Sequence, residues 1–335
     1  MEKAFVTGGS GFVGAPLIRR LVVRGVGVVA LARSEAAAAA VEQAGAVEQA
    51  GAVACRGDLL DAQAIARGMQ GCDAVFHVAG HLSDWDHYDI FHNANVVGTR
   101  TMLAAAKAAG ASVFVAVGAA AVVMGRPMPM KNVSEDLPLQ APLWAPYIKT
   151  KAEAERLVRQ ANTSGLRTVV IRPSLIWGEG MPTLDEMVAA ANNPRFALPD
   201  AGRQAVSASH VDNVVEGLLL AAEKGRGGEA YFVTDGEVST LAAVLNGLLG
   251  TRGVPPITRS TSFGTAWRMA AVMEGVWHLF RLRSKPPVTR QTLRMIGQDF
   301  TPDIAKARRE LGYAPIIDWA QGLARLRDSE GRRLP

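Results

Sequence analysis

The tightest constraint on this chain is Phe5-Val6-Thr7-Gly8-Gly9-Ser10-Gly11-Phe12-Val13-Gly14, which sets glycines at 8, 11 and 14 between a β-prone run and a helical stretch that begins near Ala15. Each of the three has a physical role, since one makes a tight turn, one lets backbone approach a pyrophosphate, and one lets helix and strand pack closely. The helix N-terminus that follows attracts phosphate. A strand, this turn and a helix at the start of a chain imply a dinucleotide site in the first βαβ unit of a parallel sheet.

The rest of the chain has the matching rhythm. β-rich runs at Ala4–Val6, Val26–Leu31, Ala52–Cys55, Ala74–Val78, Ser112–Val117, Thr168–Ile171 and Ala230–Val233 alternate with helical spacing at Ala15–Val23, Ala62–Met69, Thr99–Ala109, Lys149–Ala161 and Val211–Glu223. This alternation predicts an α/β fold, a Rossmann-type doubly wound parallel sheet of about seven strands covered on both faces. Beyond Ile171, prolines at 173, 182, 194 and 199 break the rhythm, and residues 236–300 carry helical patterns without matching strands. The expected organisation is a dinucleotide-binding domain over 1–175 and 207–235. A smaller, mostly helical substrate domain over 176–206 and 236–335 packs at the carboxyl ends of the strands, where open sheets bind ligands. The hexapeptide Val41–Ala46 recurs at once as Val47–Ala52, which reads as a local surface duplication without function.

Composition narrows the partners. Apolar residues make up 49% of the 335, and 36 basic against 31 acidic side chains leave a net charge of +5. The cations are scattered rather than gathered with aromatics, so nucleic acid is not an expected partner. Cys55 and Cys72 make neither a disulfide framework nor a metal site, which points to a reducing compartment. Met1-Glu2-Lys3 runs straight into an apolar strand, so no signal peptide is expected, and no apolar run reaches the ~18 residues of a spanning helix. The expected location is the cytoplasm.

The second strand indicates which dinucleotide. An NAD-preferring site usually ends this strand with Asp or Glu for the ribose hydroxyls. Here the run is Val29-Ala30-Leu31-Ala32-Arg33-Ser34, with no carboxylate before Glu35. Arg33 suits a ribose 2′-phosphate, so NADP(H) is favoured over NAD(H). Asp58, after the third strand, suits the adenine amino group or, alternatively, caps the helix that follows. Further on, Tyr147-Ile148-Lys149-Thr150-Lys151 sets a phenol and an ammonium four residues apart on one helical face. A nearby lysine and a positive cofactor ring lower a phenol's pKa, so the pair can exchange a proton with a hydroxyl or carbonyl.

Taken in order, Thr7-Gly8-x-x-Gly11-x-x-Gly14, Asp58-Leu59, Tyr147-x-x-x-Lys151 and Arg172-Pro173 resemble an extended short-chain dehydrogenase/reductase. Asn95-Val96-Val97-Gly98-Thr99, Arg172-Pro173-x-x-Ile176-Trp177-Gly178 and His210-Val211-Asp212-Asn213 narrow the resemblance to the 3β-hydroxysteroid dehydrogenase branch. The C-terminal stretch, with Pro287-Val288-Thr289-Arg290 and Ala307–Tyr313, is most similar to bacterial 2-alkyl-3-ketoalkanoic acid reductases. The resemblance implies that Tyr147 is the acid–base residue, that Lys151 holds the nicotinamide ribose and tunes Tyr147, and that Pro173 and Ser174 lie by the nicotinamide. The expected cofactor contacts are Gly8, Ser10, Gly11, Phe12, Val13, Gly14, Arg33, Asp58, Leu59, Ala79, Tyr147, Lys151, Pro173 and Ser174. A homodimer through the helices near 99–109 and 149–161 is also implied.

One implied residue is missing. The family places a Ser or Thr near the end of the fifth strand, hydrogen-bonded to the reacting oxygen, where this chain has Gly118, Ala119 and Ala120. Losing such a donor costs on the order of 2–4 kcal/mol of transition-state stabilisation. Three explanations stay open. Either His81, Ser83, Asp84 or a water substitutes, or the enzyme is slow, or the chain binds cofactor without turnover.

Two other features bear on the site. His77, His81, His87 and His92 lie near Asp84, Asp86 and Asp89, but their spacing suits a polar, cofactor-side loop better than a metal, and no metal is expected. From Trp267 to Phe280, Met269, Val272, Met273, Val276, Trp277 and Phe280 form one helical stripe. It predicts either a helix packed on its own domain's core or an apolar wall over a lipid-like substrate, with a peripheral membrane contact through Arg281, Arg283 and Lys285. The expected function is therefore NADP(H)-dependent interconversion of a secondary alcohol and a ketone on a hydrophobic substrate, 3β-hydroxysteroid-like or β-keto acid-like. The alternatives are a nucleotide-sugar epimerase or dehydratase, or a non-catalytic dinucleotide-binding module.

Overall fold

The structure is a computed structural model that describes residues 1–46, 51–282 and 284–331. Seven strands form its main sheet: β1 (Lys3–Thr7), β2 (Gly27–Ala32), β3 (Ala52–Arg56), β4 (Ala74–His77), β5 (Val113–Val117), β6 (Arg167–Pro173) and β7 (Glu229–Val233). Their spatial order is β7-β6-β5-β4-β1-β2-β3, and every neighbouring pair is parallel. The chain winds outward from β1 in one direction and from β4 in the other. A crevice therefore opens between the carboxyl ends of β1 and β4, at Thr7 and His77.

Period-two burial explains why these segments are strands. Val6 and Val115 join a cluster with Leu17 and Ile18 of α1 (Gly14–Val23), while Phe5 and Phe114 turn the other way onto Ile65 and Met102. Apolar side chains on both faces are what a sheet covered by two helical layers requires. The layers comprise α1, α2 (Glu35–Gly45), α3 (Ala62–Gly68), α4 (Gly98–Ala108), α5 (Pro146–Gln160) and a later helix, Val211–Lys224. Ser34 Oγ accepts from Ala37 N to start α2, and Asp61 Oδ1 accepts from Ala64 N to start α3. The capping role considered for Asp58 thus belongs to Asp61; Asp58 instead closes a local turn by accepting from Leu60 N at 2.7 Å. The first repeat copy ends α2, whereas Val47–Ala50 of the second lies outside the described residues.

With the layer helix Val211–Lys224 numbered α7, further helices are α6 (Leu184–Ala191), α8 (Leu241–Gly250), α9 (Phe263–Leu279) and α10 (Arg290–Ile296), of which α8 and α10 contribute residues to the cavity at the crevice. A small sheet runs Ser239–Thr240, Ala205–Val206, Phe300–Pro302, Met130–Val133. Two sequence expectations change here. Residues 236–300 do contain short strands, and Met130–Val133, from within 1–175, pairs with Phe300–Pro302.

Helix α9 departs furthest from its predicted stripe. Its buried residues are Ala266, Ala270 and Glu274, whereas Met269, Val272, Val276 and the adjoining Phe280 are exposed. On that inward face Glu274 is paired with half-buried Arg290, accepting from Arg290 N and Arg290 Nε, each at 2.6 Å, so its carboxylate is satisfied where the helix packs. Of the six residues of the stripe only Met273 and Trp277 are half-buried, so it is not the packed face as a whole, and no residue of α9 lines the cavity described next, so the apolar-wall expectation does not hold.

Candidate active site

A cavity of about 820 Å³ occupies the carboxyl ends of the strands. Every residue expected to touch cofactor lines it except Gly14. Gly14 acts from behind: it is buried, and a Cβ there would overlap the Gly8 carbonyl. Gly8 makes the turn, with φ +71° and a hypothetical Cβ only 2.9 Å from Ala79 N. Gly11 is exposed on the cavity wall, where backbone can meet a pyrophosphate. The role of Gly9 was not anticipated; a Cβ would meet Ile18 Cδ1 at 2.7 Å, so it also serves helix–strand packing.

The two loops that cradle this turn are held by a buried relay. Ala79 N donates to Thr7 Oγ1 at 3.1 Å, and Thr7 Oγ1 lies 2.9 Å from His77 Nδ1. On the other side, His77 Nε2 lies 3.0 Å from Thr99 Oγ1, whose proton goes to the Asn95 carbonyl at 2.6 Å. With that hydroxyl proton committed, Nε2 must donate and Nδ1 must accept from Thr7. Burial, and then the charge of Lys151, pushes the imidazole pKa down to about 3, so the ring is neutral. His77, the first histidine of the group of four, is therefore structural.

Asn95 registers the loop after β4 against α5. It lies in a π-helical stretch, His92–Val97, that leads into α4. Its Oδ1 accepts from His81 N at 2.7 Å, and its Nδ2 donates to the His81 carbonyl and to Thr150 Oγ1, each at 3.1 Å. A second tie comes from far along the chain. Gln291, in α10, accepts from Tyr147 N at 3.0 Å and donates to the Ser83 carbonyl at 2.8 Å. The family-like motif around Asn95 could have flagged that residue, but nothing local marks Gln291.

Tyr147 and Lys151 both line the cavity from α5, which Pro146 opens. Lys151 Nζ donates to the Val117 carbonyl at 2.6 Å. Burial lowers its pKa to about 8, against the raising pull of Glu155. Glu155 is itself fully buried against Arg172, whose Nε donates to both carboxylate oxygens at 3.1 and 3.0 Å. The pKa of Tyr147 moves opposite to expectation: burial pushes it up to about 12, so at neutral pH the phenol keeps its proton.

The end of β5 offers no hydroxyl. Gly118 cannot carry one, because a Cβ would meet Val170 Cγ1 at 2.7 Å. Ala119 and Ala120 face the cavity with methyl groups only. The other residues fit a nicotinamide dinucleotide. Gly8 packs against Ala79 where a side chain would intrude, and exposed Arg33 makes no hydrogen bond or ion pair with the described residues. Ser174 Oγ is buried in the cavity wall with no partner among them.

Known proteins match this arrangement. The family model for the 3-beta hydroxysteroid dehydrogenase/isomerase family matches residues 5–254. A 4-hydroxy-2-methyl-3-oxo-4-farnesyl-3,4-dihydroquinoline-1-oxide ketoreductase of Stigmatella aurantiaca is 42% identical, covering 98% of this chain and 96% of that protein. A 2-alkyl-3-oxoalkanoate reductase of Stenotrophomonas maltophilia (strain K279a) is 36% identical, covering 98% and 99%. Among solved structures, that of gox2253 superimposes with a TM-score of 0.78 at 26% identity, covering 100% of this chain and 99% of that one.

Proposed function

The chain belongs to the 3-beta hydroxysteroid dehydrogenase/isomerase family, and from that premise we propose that it reduces the ketone of an apolar substrate with NADPH. It is an NAD(P)-dependent short-chain dehydrogenase/reductase acting on CH–OH groups. The observation that carries the finer reading is how charge is distributed in one cavity. Arg33 and Lys151 are its only Lys or Arg among the described residues, and both belong to the cofactor side. The remaining wall includes Met181, Leu241, Met295, Ile296 and Phe300. A nucleotide sugar's diphosphate would lack its cationic clamp there, whereas a sterol-like or 2-alkyl-3-oxo acid-like molecule finds apolar surface.

When bound, the nicotinamide supplies hydride to the carbonyl carbon. Tyr147, which holds its proton at neutral pH, gives that proton to the carbonyl oxygen and is left as phenolate. Lys151, anchored on the Val117 carbonyl, orients the ribose and favours the phenolate. The apolar wall keeps water from the reacting carbon. Arg33 reads the 2′-phosphate. Tryptophan fluorescence titrations and a ketone panel followed by NADPH oxidation test this reading. We expect NADPH to bind at least tenfold more tightly than NADH, with Arg33→Glu erasing the difference. Equal affinity in the unaltered protein refutes the NADP preference. Tyr147→Phe should abolish turnover while keeping cofactor affinity, and turnover that survives it removes Tyr147 from the chemistry.

A surface role is proposed for α9. Its exposed side and the residues just beyond it carry Met269, Val272, Val276, Leu279 and Phe280 with Arg268 and Arg281, and the one acid of the helix, Glu274, is buried. Apolar groups edged by cations suit an anionic bilayer from which an apolar substrate is drawn. Lys285 is engaged with Glu186 at 2.5 Å, and Arg283 lies outside the described residues. No helix among the described residues is long and apolar enough to cross a membrane. We place the protein in the cytoplasm as a homodimer through α4 and α5, a state that light scattering checks.

A further inference from the structure

The end of β5 lacks a donor for the reacting oxygen, yet a polar residue of the loop after β4 lines the cavity and is tied through Asn95 to the helix that carries Tyr147 and Lys151. We propose that His81, steadied by Asp86, supplies the hydrogen bond to that oxygen. This rests on the reading of Tyr147 as the proton donor.

Elimination narrows the choice. Ser83 Oγ is occupied locally, lying 3.3 Å from the Trp85 carbonyl and 3.2 Å from Trp85 N. Asp84 takes the Thr292 hydroxyl at 3.2 Å and has Lys285 Nζ at 3.9 Å. Neither lines the cavity, whereas His81 does. Its position is set by both of its main-chain polar groups, each bonded to Asn95, and Asn95 is bonded to Thr150, the neighbour of Lys151. The preceding residue lies beside the lysine, since a Cβ on Gly80 would be 3.8 Å from Lys151 Nζ. The ring packs edge-on against Phe91 with centroids 4.9 Å apart.

The ring chemistry suits that role. His81 Nε2 lies 2.8 Å from Asp86 Oδ2, so Nε2 is the donor in that contact. Nδ1 has no partner among the described residues. For Nδ1 to donate to the substrate oxygen while Nε2 donates to Asp86, the ring has to carry both protons, and the Asp86 carboxylate 2.8 Å away is placed to balance that charge. His81 keeps its proton throughout. The electron pair of the carbonyl π bond moves onto oxygen as hydride arrives at carbon, and the proton that oxygen receives is that of Tyr147.

The test compares five proteins on one ketone: unaltered, Tyr147→Phe, His81→Leu, Ala120→Ser, and His81→Leu with Ala120→Ser. Removing one such donor typically lowers kcat by about 10²–10³. His81→Leu should lose that much while binding NADPH in fluorescence titration as the unaltered protein does. Ala120→Ser, which returns a hydroxyl to the end of β5, should recover at least tenfold in the His81→Leu background but gain less than threefold in the otherwise unaltered protein, a difference that a merely structural role for His81 would not produce. Retention of more than a third of kcat in His81→Leu overturns the proposal, as does a loss that Ala120→Ser fails to recover. If unaltered protein and Tyr147→Phe are equally inactive on every ketone while binding NADPH, the reading of the site falls first and the role of His81 with it.

Discussion

Acidification should destabilise this protein chiefly through His77. The ring has a folded pKa of about 3 against an ordinary value of 6.5, because it is buried and sits near the Lys151 charge. A depressed folded pKa means that the unfolded chain takes up a proton below 6.5 that the native protein refuses. Stability is therefore complete above that value and is lost as the pH falls from there toward 3. At 1.36 kcal/mol per pH unit, going from pH 7 to pH 5 costs about 2 kcal/mol, and approaching pH 3 costs about 5 kcal/mol. The same protonation breaks the acceptor role of Nδ1 toward Thr7, whose hydroxyl oxygen holds Ala79 N in the cofactor cradle, so dinucleotide affinity should fall along with stability. Urea unfolding at pH 7 and pH 5, for the unaltered protein and for His77→Gln, measures this directly. The non-titrating variant should be less stable at pH 7 but lose much less between the two values. His210 shifts in the same direction in both proteins and cancels in the comparison. Equal acid losses in the two proteins would refute the argument that His77 carries the effect.

Three further outcomes follow from named contacts. Glu155→Gln leaves Arg172 buried without its counter-charge and should cost about 3–5 kcal/mol in chemical denaturation; Nη1 of that arginine already lacks a partner among the described residues. Gly8→Ala forces a Cβ to 2.9 Å from Ala79 N at a positive φ, so a loss of at least ~1 kcal/mol and weaker dinucleotide binding by calorimetry are expected. Leu279→Glu with Phe280→Glu should leave stability within about 0.5 kcal/mol, since both side chains are exposed, yet abolish sedimentation with anionic vesicles. If the unaltered protein does not sediment with them, or light scattering shows that face closing a dimer, the bilayer is the wrong occupant.

Much of the fold was legible because parallel α/β sheets are built from locally consistent segments. The seven predicted strands are the seven of the main sheet, displaced at their ends by a few residues at most. The glycine turn, Arg33, Asp58, Tyr147 and Lys151 converge on one cavity because each stands at or near the carboxyl end of a strand, or at the start of a helix, where the topology directs them. Helix α9 was not legible in the same way, because periodicity treats a glutamate as a surface residue, and Glu274 became a core residue only through Arg290, sixteen positions away.

By itself, then, the sequence determined the sheet, the dinucleotide turn, the tyrosine–lysine pair and the absence of a hydroxyl after β5. These are properties of residue identity and short-range spacing, and packing can place them but not change them. The tertiary structure alone decided that Tyr147 holds its proton and that Lys151 rests on Val117. It also decided that His77 is a neutral strut, that Gln291 braces Tyr147 N, and that His81, unlike Ser83 and Asp84, lines the cavity. Each of these depends on burial or on a partner remote in the chain. Desolvation and hydrogen bonding act through distances in space, which spacing along the sequence does not specify.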